Sequence, residues 1–212
     1  IKSNLEDKIY LITLLVVSIL LSILIVKNFS SNFLINTILI SSAFYLFFIT
    51  LRDFFIKGFK NLAQNTAHFG FSLLILSILF NNLFSTETIT NLKVGETFEN
   101  SKTKIIFENI SQKDKKNYKS IIAEFTIQDS KGKMENLSPE LRIYNQPNIV
   151  TSEADIKTTL LSDKFIVINL VPNQEFFNVR YQVKPFMLWI WISVILISVG
   201  GLMSFLKKEY EK

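Results

Sequence analysis

The chain contains no cysteine and only one histidine, His68, among its 212 residues. The absence of cysteine excludes a disulfide framework, a thiol nucleophile and thiolate ligation of a metal or haem by this chain. Glycine and proline are scarce, with six and four residues, and we find no glycine-rich phosphate loop. These absences leave one imidazole as the main candidate for metal, haem or proton chemistry.

The composition is too hydrophobic for an ordinary soluble domain. Apolar residues make up 49% of the chain and aromatic residues 13%, yet 19% of the residues are charged. Charged residues must therefore be concentrated outside the apolar runs, as in a membrane protein with a soluble insert. In a soluble protein, a formal net charge of +5 would suggest nucleic acid as a binding partner. Because the chain is interpreted as a membrane protein, we expect no nucleic-acid partner.

Four apolar runs are long enough for spanning helices, which need about 20 mostly apolar residues. They cover about 9–26, 33–51, 66–84 and 185–206, with Pro185 suited to the first turn of the last helix. Residues 27–32 form a linker so short that the first two helices must be antiparallel neighbours. The pair Gly200-Gly201 predicts a close approach of another helix backbone.

Basic residues predict the orientation of these helices. We expect residues 52–60 to form a loop of alternating basic and aromatic residues at the lipid headgroups. In a four-span topology, this loop lies on the same side as both termini. Those three segments carry the following basic residues: Lys2, Lys8, Arg52, Lys57, Lys60, Lys207, Lys208 and Lys212. This side should be cytoplasmic, including a tail at 207–212, so that residues 85–184 lie on the opposite, non-cytoplasmic side.

Residues 85–184 read as a small antiparallel β domain. Strands are predicted by runs rich in β-branched and aromatic residues at 104–108, 121–127, 164–170 and 178–183, and Asp129–Gly132 predicts a hairpin turn. The predicted fold class is therefore a four-span α-helical membrane protein with an inserted antiparallel β sandwich or barrel. We expect no catalytic residue in this domain, and we expect its carboxylates to be solvated or salt-bridged: Glu140, Glu153, Asp155 and Asp163.

His68 is the strongest candidate for a functional side chain. It lies two residues inside the third apolar run, and an ionisable ring within a bilayer is a functional-site hypothesis because its burial is costly. On a helix it shares a face with Gln64, Phe71, Ser72 and Ile75, which would place a polar and several flat apolar groups around the ring. The alternative is a histidine at the inner headgroups.

Trp189 and Trp191 point to different sides of the last helix and favour an aromatic belt at the membrane interface over a cofactor-stacking role.

An ordered set of motifs carries a resemblance to a known family. The motifs are Ala67-His68-Phe69-Gly70, Asn117-Tyr118, Pro139-Glu140-Leu141-Arg142-Ile143-Tyr144, Ser152-Glu153-Ala154, Asp163-Lys164-Phe165-Ile166-Val167, Lys184-Pro185, Trp189-Ile190-Trp191 and Gly200-Gly201. In this order, they resemble the C-terminal portion of the CcmF family of cytochrome c-type biogenesis proteins.

The resemblance implies a subunit or fragment of the System I haem lyase, which attaches haem to the CxxCH motif of apocytochrome c. It implies that His68 is an axial ligand of a transmembrane b-type haem, haem b, that supports reduction of the incoming haem. The implied partners are the family's N-terminal half, on the same or a separate polypeptide, a haem chaperone, apocytochrome c and membrane lipid. The implied location is the bacterial or mitochondrial inner membrane, with the β domain in the periplasm or intermembrane space.

Several family features are absent from the chain. The tryptophan-rich haem-handling segment, the two outer-face histidines and the second transmembrane histidine are missing, and Ser193 stands where the family usually has glycine. The chain begins with Ile1, so we expect a piece of something longer or a split subunit. The resemblance implies that it contributes to a haem lyase complex without the catalytic segment. The second haem ligand is then expected from the N-terminal half, with Met203 as a weaker alternative.

A different class of function also fits the sequence. A non-enzymatic membrane-anchored assembly factor or sensor would use the β domain to bind a protein partner, and the helices only as an anchor. Such a protein would carry no chromophore. A transporter is disfavoured because the sequence shows no paired broken helices or intramembrane carboxylates.

Overall fold

A computed structural model describes residues 2–29, 32–57, 61–101, 103–130, 132–172 and 174–210. The chain divides into two compact units. One is a β domain, Ser85–Lys184, and the other, which we call the helical unit, combines the residues before and after it.

The helical unit consists of four long helices. They are α1 (Lys2–Phe29), α2 (Phe33–Lys57), α3 (Leu62–Phe84) and α4 (Met187–Tyr210). Each contains a stretch long and apolar enough to cross a membrane, which confirms the predicted four-span architecture. Most of these helices are longer than the apolar runs. A helix can include polar residues at its ends, so the apolar run marks only its central part.

The segment predicted as a basic loop at 52–60 is mostly helical, so that prediction is wrong. Helix α2 continues through Lys57, while residues 58–60 lie outside the described residues. Arg52 is a good helix former, and its guanidinium contacts the Asp7 carboxylate at 3.2 Å. It also lies 4.6 Å from the ring centroid of Tyr10. These contacts bring the start of α1 and the end of α2 together, as an antiparallel pair requires.

Pro185 does not begin the last helix. It is the final residue of a strand, and Phe186 makes the turn into α4 with a positive φ of 61°. A non-glycine residue in this region is uncommon and strained. Two contacts hold the turn: Asn81 Nδ2 donates to the Pro185 carbonyl at 2.6 Å, and the rings of Phe80 and Phe186 lie 5.3 Å apart.

The helices pack in chain order, α1 on α2, α2 on α3 and α3 on α4. Many hydroxyl groups in this unit bond to a carbonyl of their own helix, for example Ser18 Oγ to Leu14 O at 2.7 Å. This satisfies a polar group where water is absent. One pair crosses between helices, since the hydroxyls of Thr50 and Ser72 lie 2.6 Å apart.

The β domain has two antiparallel sheets, so the prediction of a sandwich or barrel resolves to a sandwich. Its strands are β1 (Thr86–Leu92), β2 (Thr97–Glu99), β3 (Thr103–Asp114), β4 (Tyr118–Asp129), β5 (Met134–Leu137), β6 (Glu140–Tyr144), β7 (Val150–Glu153), β8 (Asp155–Thr158), β9 (Ser162–Leu170) and β10 (Phe177–Pro185). One sheet has the order β1-β10-β9-β8. The other has the order β2-β3-β4-β6-β7, with β5 also pairing with β4.

The domain core lies between the two sheets. Phe107 and Phe125 are fully enclosed and stack with ring centroids 4.4 Å apart. The predicted turn after Asp129 is present, because Gly132 N donates to Asp129 O at 2.9 Å and Gly132 adopts a φ of 79°. Lys131 within it lies outside the described residues. The turn joins β4 to β5, a strand that the sequence did not predict.

Candidate functional site

His68 lies deeper in its helix than the apolar run indicated. Helix α3 begins at Leu62 rather than Thr66, so His68 is six residues, or about 9 Å, from the helix start. Leu62, Ala63 and Gln64 are good helix formers, which favours this earlier start.

One face of α3 packs closely against α4. A Cβ on Gly200 would lie 2.6 Å from Ala67 N and 2.7 Å from Ala63 O, so only glycine fits there. A Cβ on Gly70 would lie 2.9 Å from the Cβ of Leu196. The helix backbone of α4 thus contacts the residue next to His68. The sequence signal for this face, small residues at 63, 67 and 70, was missed.

The predicted role of the glycine pair is therefore half correct. Gly200 makes the close approach that was expected. A Cβ on Gly201 would meet nothing within 4 Å.

A second face of α3 packs against α2. Phe69 lies beside Phe47 and Phe54, at ring-centroid distances of 5.7 and 5.8 Å. Ser72 is fully buried and bonded to Thr50 across the two helices. The expectation that Ser72 shares the environment of His68 is therefore wrong, because α2 covers this hydroxyl.

The third face of α3 carries His68 and is exposed. Residues on it follow a spacing of three and four, which is the spacing of one helix face. The exposed members are Asn61, Gln64, His68, Phe71, Ile78 and Asn82, and Ile75 between them is half-buried. Phe71 is 53% exposed and Ile78 49%. We call this set the His68 face.

His68 is the residue of this face that could hold a haem iron. Phe71, Ile75 and Ile78 follow it on the same face, one, two and three turns further along the helix. A low-spin haem needs a second ligand on its other side, and the chain has no second histidine. The described residues also contain no group of three or more histidine, cysteine or acidic residues that could hold a metal ion.

The methionines of α4 are poorer ligand candidates. Met187 stands 13 residues, or about 20 Å, from Gly200 along α4, and Gly200 marks the level of Ala67. Met203 lies within one turn of Gly200 and is half-buried. Only Met203 is therefore at the correct end of the helix.

The carboxylates of the β domain are engaged in structural contacts. Arg142 contacts Glu140 at 3.1 Å and Glu153 at 3.7 Å, which confirms the salt-bridged role expected for both acids. The hydrogen bond from Arg142 lowers the pKa of Glu140 and, reciprocally, raises that of Arg142. Asp155 instead accepts a hydrogen bond from Ser138 N at 2.6 Å.

Asp163 departs from the expectation of a solvated or salt-bridged acid. Its Oδ1 atom is buried and has no hydrogen-bond partner among the described residues.

Glu135 is a buried acid that the sequence did not single out. Its carboxylate lies 2.8 Å from Lys164 Nζ and 2.9 Å from Lys133 Nζ. Burial raises the pKa of Glu135, but the hydrogen bond from Lys164 and the ion pair with Lys133 outweigh it and leave the pKa below its usual value. Burial, helped by the negative charge of Glu135, also raises the pKa of Tyr181 to about 12. Glu135 and its two lysines are therefore arranged as ion pairs rather than as a catalytic set.

Comparisons with known proteins agree with these observations. Residues 83–185 match the family model described as the CcmF C-terminal beta-sandwich. The cytochrome c-type biogenesis protein CcmF of Haemophilus influenzae is 26% identical over 166 residues, covering 76% of this chain and 26% of that protein. CcmF of Escherichia coli K12 is 26% identical over 147 residues, covering 69% of this chain and 23% of that protein.

A solved structure of the cytochrome c haem lyase CcmF has the same fold, with a TM-score of 0.64 at 15% sequence identity. The match covers 90% of this chain and 33% of that structure. This chain spans about a quarter of the length of the relatives named above. The β domain thus matches the CcmF C-terminal beta-sandwich, and most of the chain is similar to the C-terminal portion of the CcmF cytochrome c-type biogenesis proteins.

Proposed function

We propose that this chain is the part of a cytochrome c haem lyase that supplies one axial ligand, His68, to a transmembrane b-type haem. The observation that carries the proposal is an exposed imidazole followed by the apolar part of its face, Phe71, Ile75 and Ile78, on a helix long enough to span the membrane. Bound there, the haem would supply electrons that keep the incoming haem iron reduced for attachment to the CxxCH motif of apocytochrome c.

Ligation gives the imidazole a favourable environment. A neutral histidine facing lipid is unfavourable, because its ring nitrogens lose their hydrogen bonds to water. As a ligand it binds iron through one nitrogen and can donate from the other, which satisfies both ring atoms. Gln64, one turn before His68 and also exposed, is the nearest polar side chain on the His68 face along the helix, and we assign it the orienting hydrogen bond.

The rest of the His68 face would be covered by the N-terminal portion of the same family. We assign that portion the second axial ligand and the segment that handles the incoming haem. A haem chaperone and apocytochrome c are the further partners. This division leaves the chain without catalytic residues of its own.

We place the complex in a bacterial or mitochondrial inner membrane, with the β domain in the periplasm or intermembrane space. The support is the distribution of basic residues along the chain. The attachment of haem to apocytochrome c would then take place on the side of the β domain.

The central experiment replaces His68 in a complex co-expressed with the N-terminal portion of a CcmF protein. His68→Ala should abolish the sharp bands of low-spin haem and cytochrome c maturation together, because one axial position is empty. Added imidazole should partly restore haem occupancy. Asn82→Ala is the matched control, since Asn82 is exposed at the far end of the same face, and it should keep the full spectrum. A normal low-spin spectrum in His68→Ala would refute the ligand assignment.

A second experiment, on the chain purified alone, tests whether the two axial ligands come from different portions of the family. The purified 212-residue chain should bind no stoichiometric low-spin haem by itself, because the second ligand is absent. Full low-spin haem on the isolated monomer would contradict the proposal. The oligomeric state must be measured in parallel, since two copies of His68 could ligate one haem across a two-fold axis.

A membrane-anchored assembly factor is the second candidate. It is favoured by the β domain, whose charged clusters around Arg142 and Glu135 are ion-paired and suited to structure rather than to bond chemistry. This function predicts a colourless protein whose β domain still binds its partner when His68 is replaced by alanine.

A further inference from the structure

The hairpin between β8 and β9 presents two leucines to its surroundings. Leu160 is 71% exposed and Leu161 67%. The flanking residues fix the turn, because Thr159 N donates to Ser162 O at 3.0 Å and Ser162 N donates to Thr159 Oγ1 at 3.1 Å. The two leucines are therefore held outward by an ordered two-residue turn, which we call the Leu160–Leu161 tip.

Such a tip is costly in water. Two-residue hairpin turns normally contain glycine, asparagine or aspartate. Leucines gain nothing from facing water, and contiguous exposed apolar groups mark contact with a protein or a membrane. Ile156 on β8 is a further exposed apolar residue near the tip, at 57%.

The pairing of the strands places the tip at one particular end of its sheet. Thr86 of β1 pairs with Val183, two residues before β10 ends at Pro185. Strands β9 and β10 are neighbours joined by residues 171–176, a connection too short for a parallel crossover. They are therefore antiparallel, and β9 begins at the end of the sheet where β10 finishes. The tip precedes β9 and so lies at the same end as Thr86 and Pro185.

Both chain connections to the candidate membrane spans leave from this end of the sheet. Only Ser85 separates the last residue of α3 from β1, and only Phe186 separates β10 from α4. Both helices are candidate membrane spans. One extended residue reaches only about 3.3 Å, so the chain ties Thr86 and Pro185 closely to the ends of these candidate spans.

We propose that the Leu160–Leu161 tip inserts into the lipid interface and forms an additional, non-covalent attachment of the β domain to the membrane. The ligand is the lipid surface itself. Insertion removes two leucine side chains from water, and the exposed Lys157 three residues earlier can approach lipid phosphates, as basic residues beside inserted apolar groups do. The attachment would limit rotation of the domain about its two chain connections. It does not depend on the binding of haem.

The test uses single cysteines, which the cysteine-free chain allows. Leu161→Cys is labelled with an environment-sensitive fluorophore in the full-length chain. The labelled chain is reconstituted in nanodiscs of phosphatidylethanolamine and phosphatidylglycerol. Leu170→Cys is the matched control, because Leu170 is also an exposed leucine, at 45%, and ends the same strand at its other end.

The label at Leu161 should emit at shorter wavelength than the label at Leu170 and should be quenched by nitroxide-bearing lipids. Aqueous iodide should quench the label at Leu161 about tenfold less than the label at Leu170. Burial of the remaining Leu160 side chain favours the inserted state by about this factor. Leu160→Asp in the same labelled chain should remove the difference.

Two results would overturn the proposal. Equal iodide quenching at both positions in nanodiscs would show a tip in water. Protection at Leu161 that appears only after addition of an N-terminal CcmF portion would show a protein-docking site instead. Retention of the far-UV circular dichroism of the wild-type chain by each variant would establish that the comparison is between folded proteins.

Discussion

At the scale of single residues, the β domain encloses one carboxylate between two lysines. Glu135 is the only charged residue among the buried residues of the described chain, with a side chain that is 2% exposed. An ion removed from water is tolerated only when its lost hydration is replaced. Lys164, itself largely buried at 16% exposure, and Lys133 replace it here. Their positive charges keep the pKa of Glu135 below its ordinary value despite the opposing effect of burial.

Glu135→Gln should destabilise the β domain at pH 7 by about 1.5–3 kcal/mol, the range for hydrogen bonds to charged groups. The variant removes the negative charge and leaves Lys164 enclosed without its partner. Thermal unfolding followed by the β-sheet circular dichroism of the full-length chain measures the effect. Glu99→Gln is the control, because Glu99 is 66% exposed and pairs with Lys104 at 3.4 Å, and its loss should stay below about 1 kcal/mol.

The difference between wild type and Glu135→Gln should depend on pH. The folded pKa of Glu135 is depressed, so its contribution is fully present above the unfolded pKa of about 4.3 and is lost as the pH falls through the folded value. The two proteins should therefore converge in stability below about pH 4. A difference that stays constant down to pH 2 would show that shape or packing, rather than charge, determines the effect.

The sequence predicted some single residues well and others poorly. His68 could be singled out because an imidazole in an apolar run is rare enough to stand out. The surroundings of Ser72 could not be predicted, because helical periodicity gives the angle of a side chain but not which neighbour covers it. Glu135 was missed because the partner that accounts for its burial, Lys164, is far away in sequence.

At the scale of secondary-structure elements, the contact between α3 and α4 depends on glycine. At Gly200 the backbone nitrogen of Ala67 and the carbonyl of Ala63 occupy the space that a side chain would need. Lipid provides little hydrophobic drive between helices, so close van der Waals packing stabilises their contact. Because Ala67 precedes His68, this contact also sets how α3 is turned and hence the direction of the His68 face.

Gly200→Ala should therefore destabilise the helical unit by about 1–3 kcal/mol, as an overpacked site does. A Cβ at this position would have to displace backbone atoms at 2.6 and 2.7 Å. Unfolding in mixed detergent micelles, followed by helical circular dichroism, measures the change. Gly201→Ala is the adjacent control, since a Cβ there meets nothing and alanine favours a helix by about 1 kcal/mol. Equal effects of the two changes would argue against a close contact of the helices.

The elements themselves were predictable to different degrees. The strands found from sequence, within β3, β4, β9 and β10, are long and rich in β-branched or aromatic residues. Short, polar strands such as β7 carry little pattern of their own, and their pairing with neighbours decides their conformation. The end of β10 was misjudged because proline is compatible with both a first helical turn and the last residue of a strand.

At the scale of the whole molecule, the chain alternates between a lipid environment and water. Three helices precede the β domain and one follows it, so the domain and the two chain termini should lie on opposite sides of the membrane. The basic residues near the ends of the spans should then face the cytoplasm. Arg52 belongs to this group, and its pairing with Asp7 does not weaken the assignment, because acidic residues contribute little to orientation.

Single cysteines can establish this orientation in intact cells. Cysteines at Ser130 and Ser152, both exposed in the β domain, should react with a membrane-impermeant maleimide, because we place that domain on the outer side. A cysteine at Gly58, in the segment between α2 and α3 that lies outside the described residues, should react only after the membrane is permeabilised. Lysed cells provide the control that all three thiols are reactive. Labelling at Gly58 alone in intact cells would reverse the topology and would place the β domain, with any haem attachment on its side, in the cytoplasm.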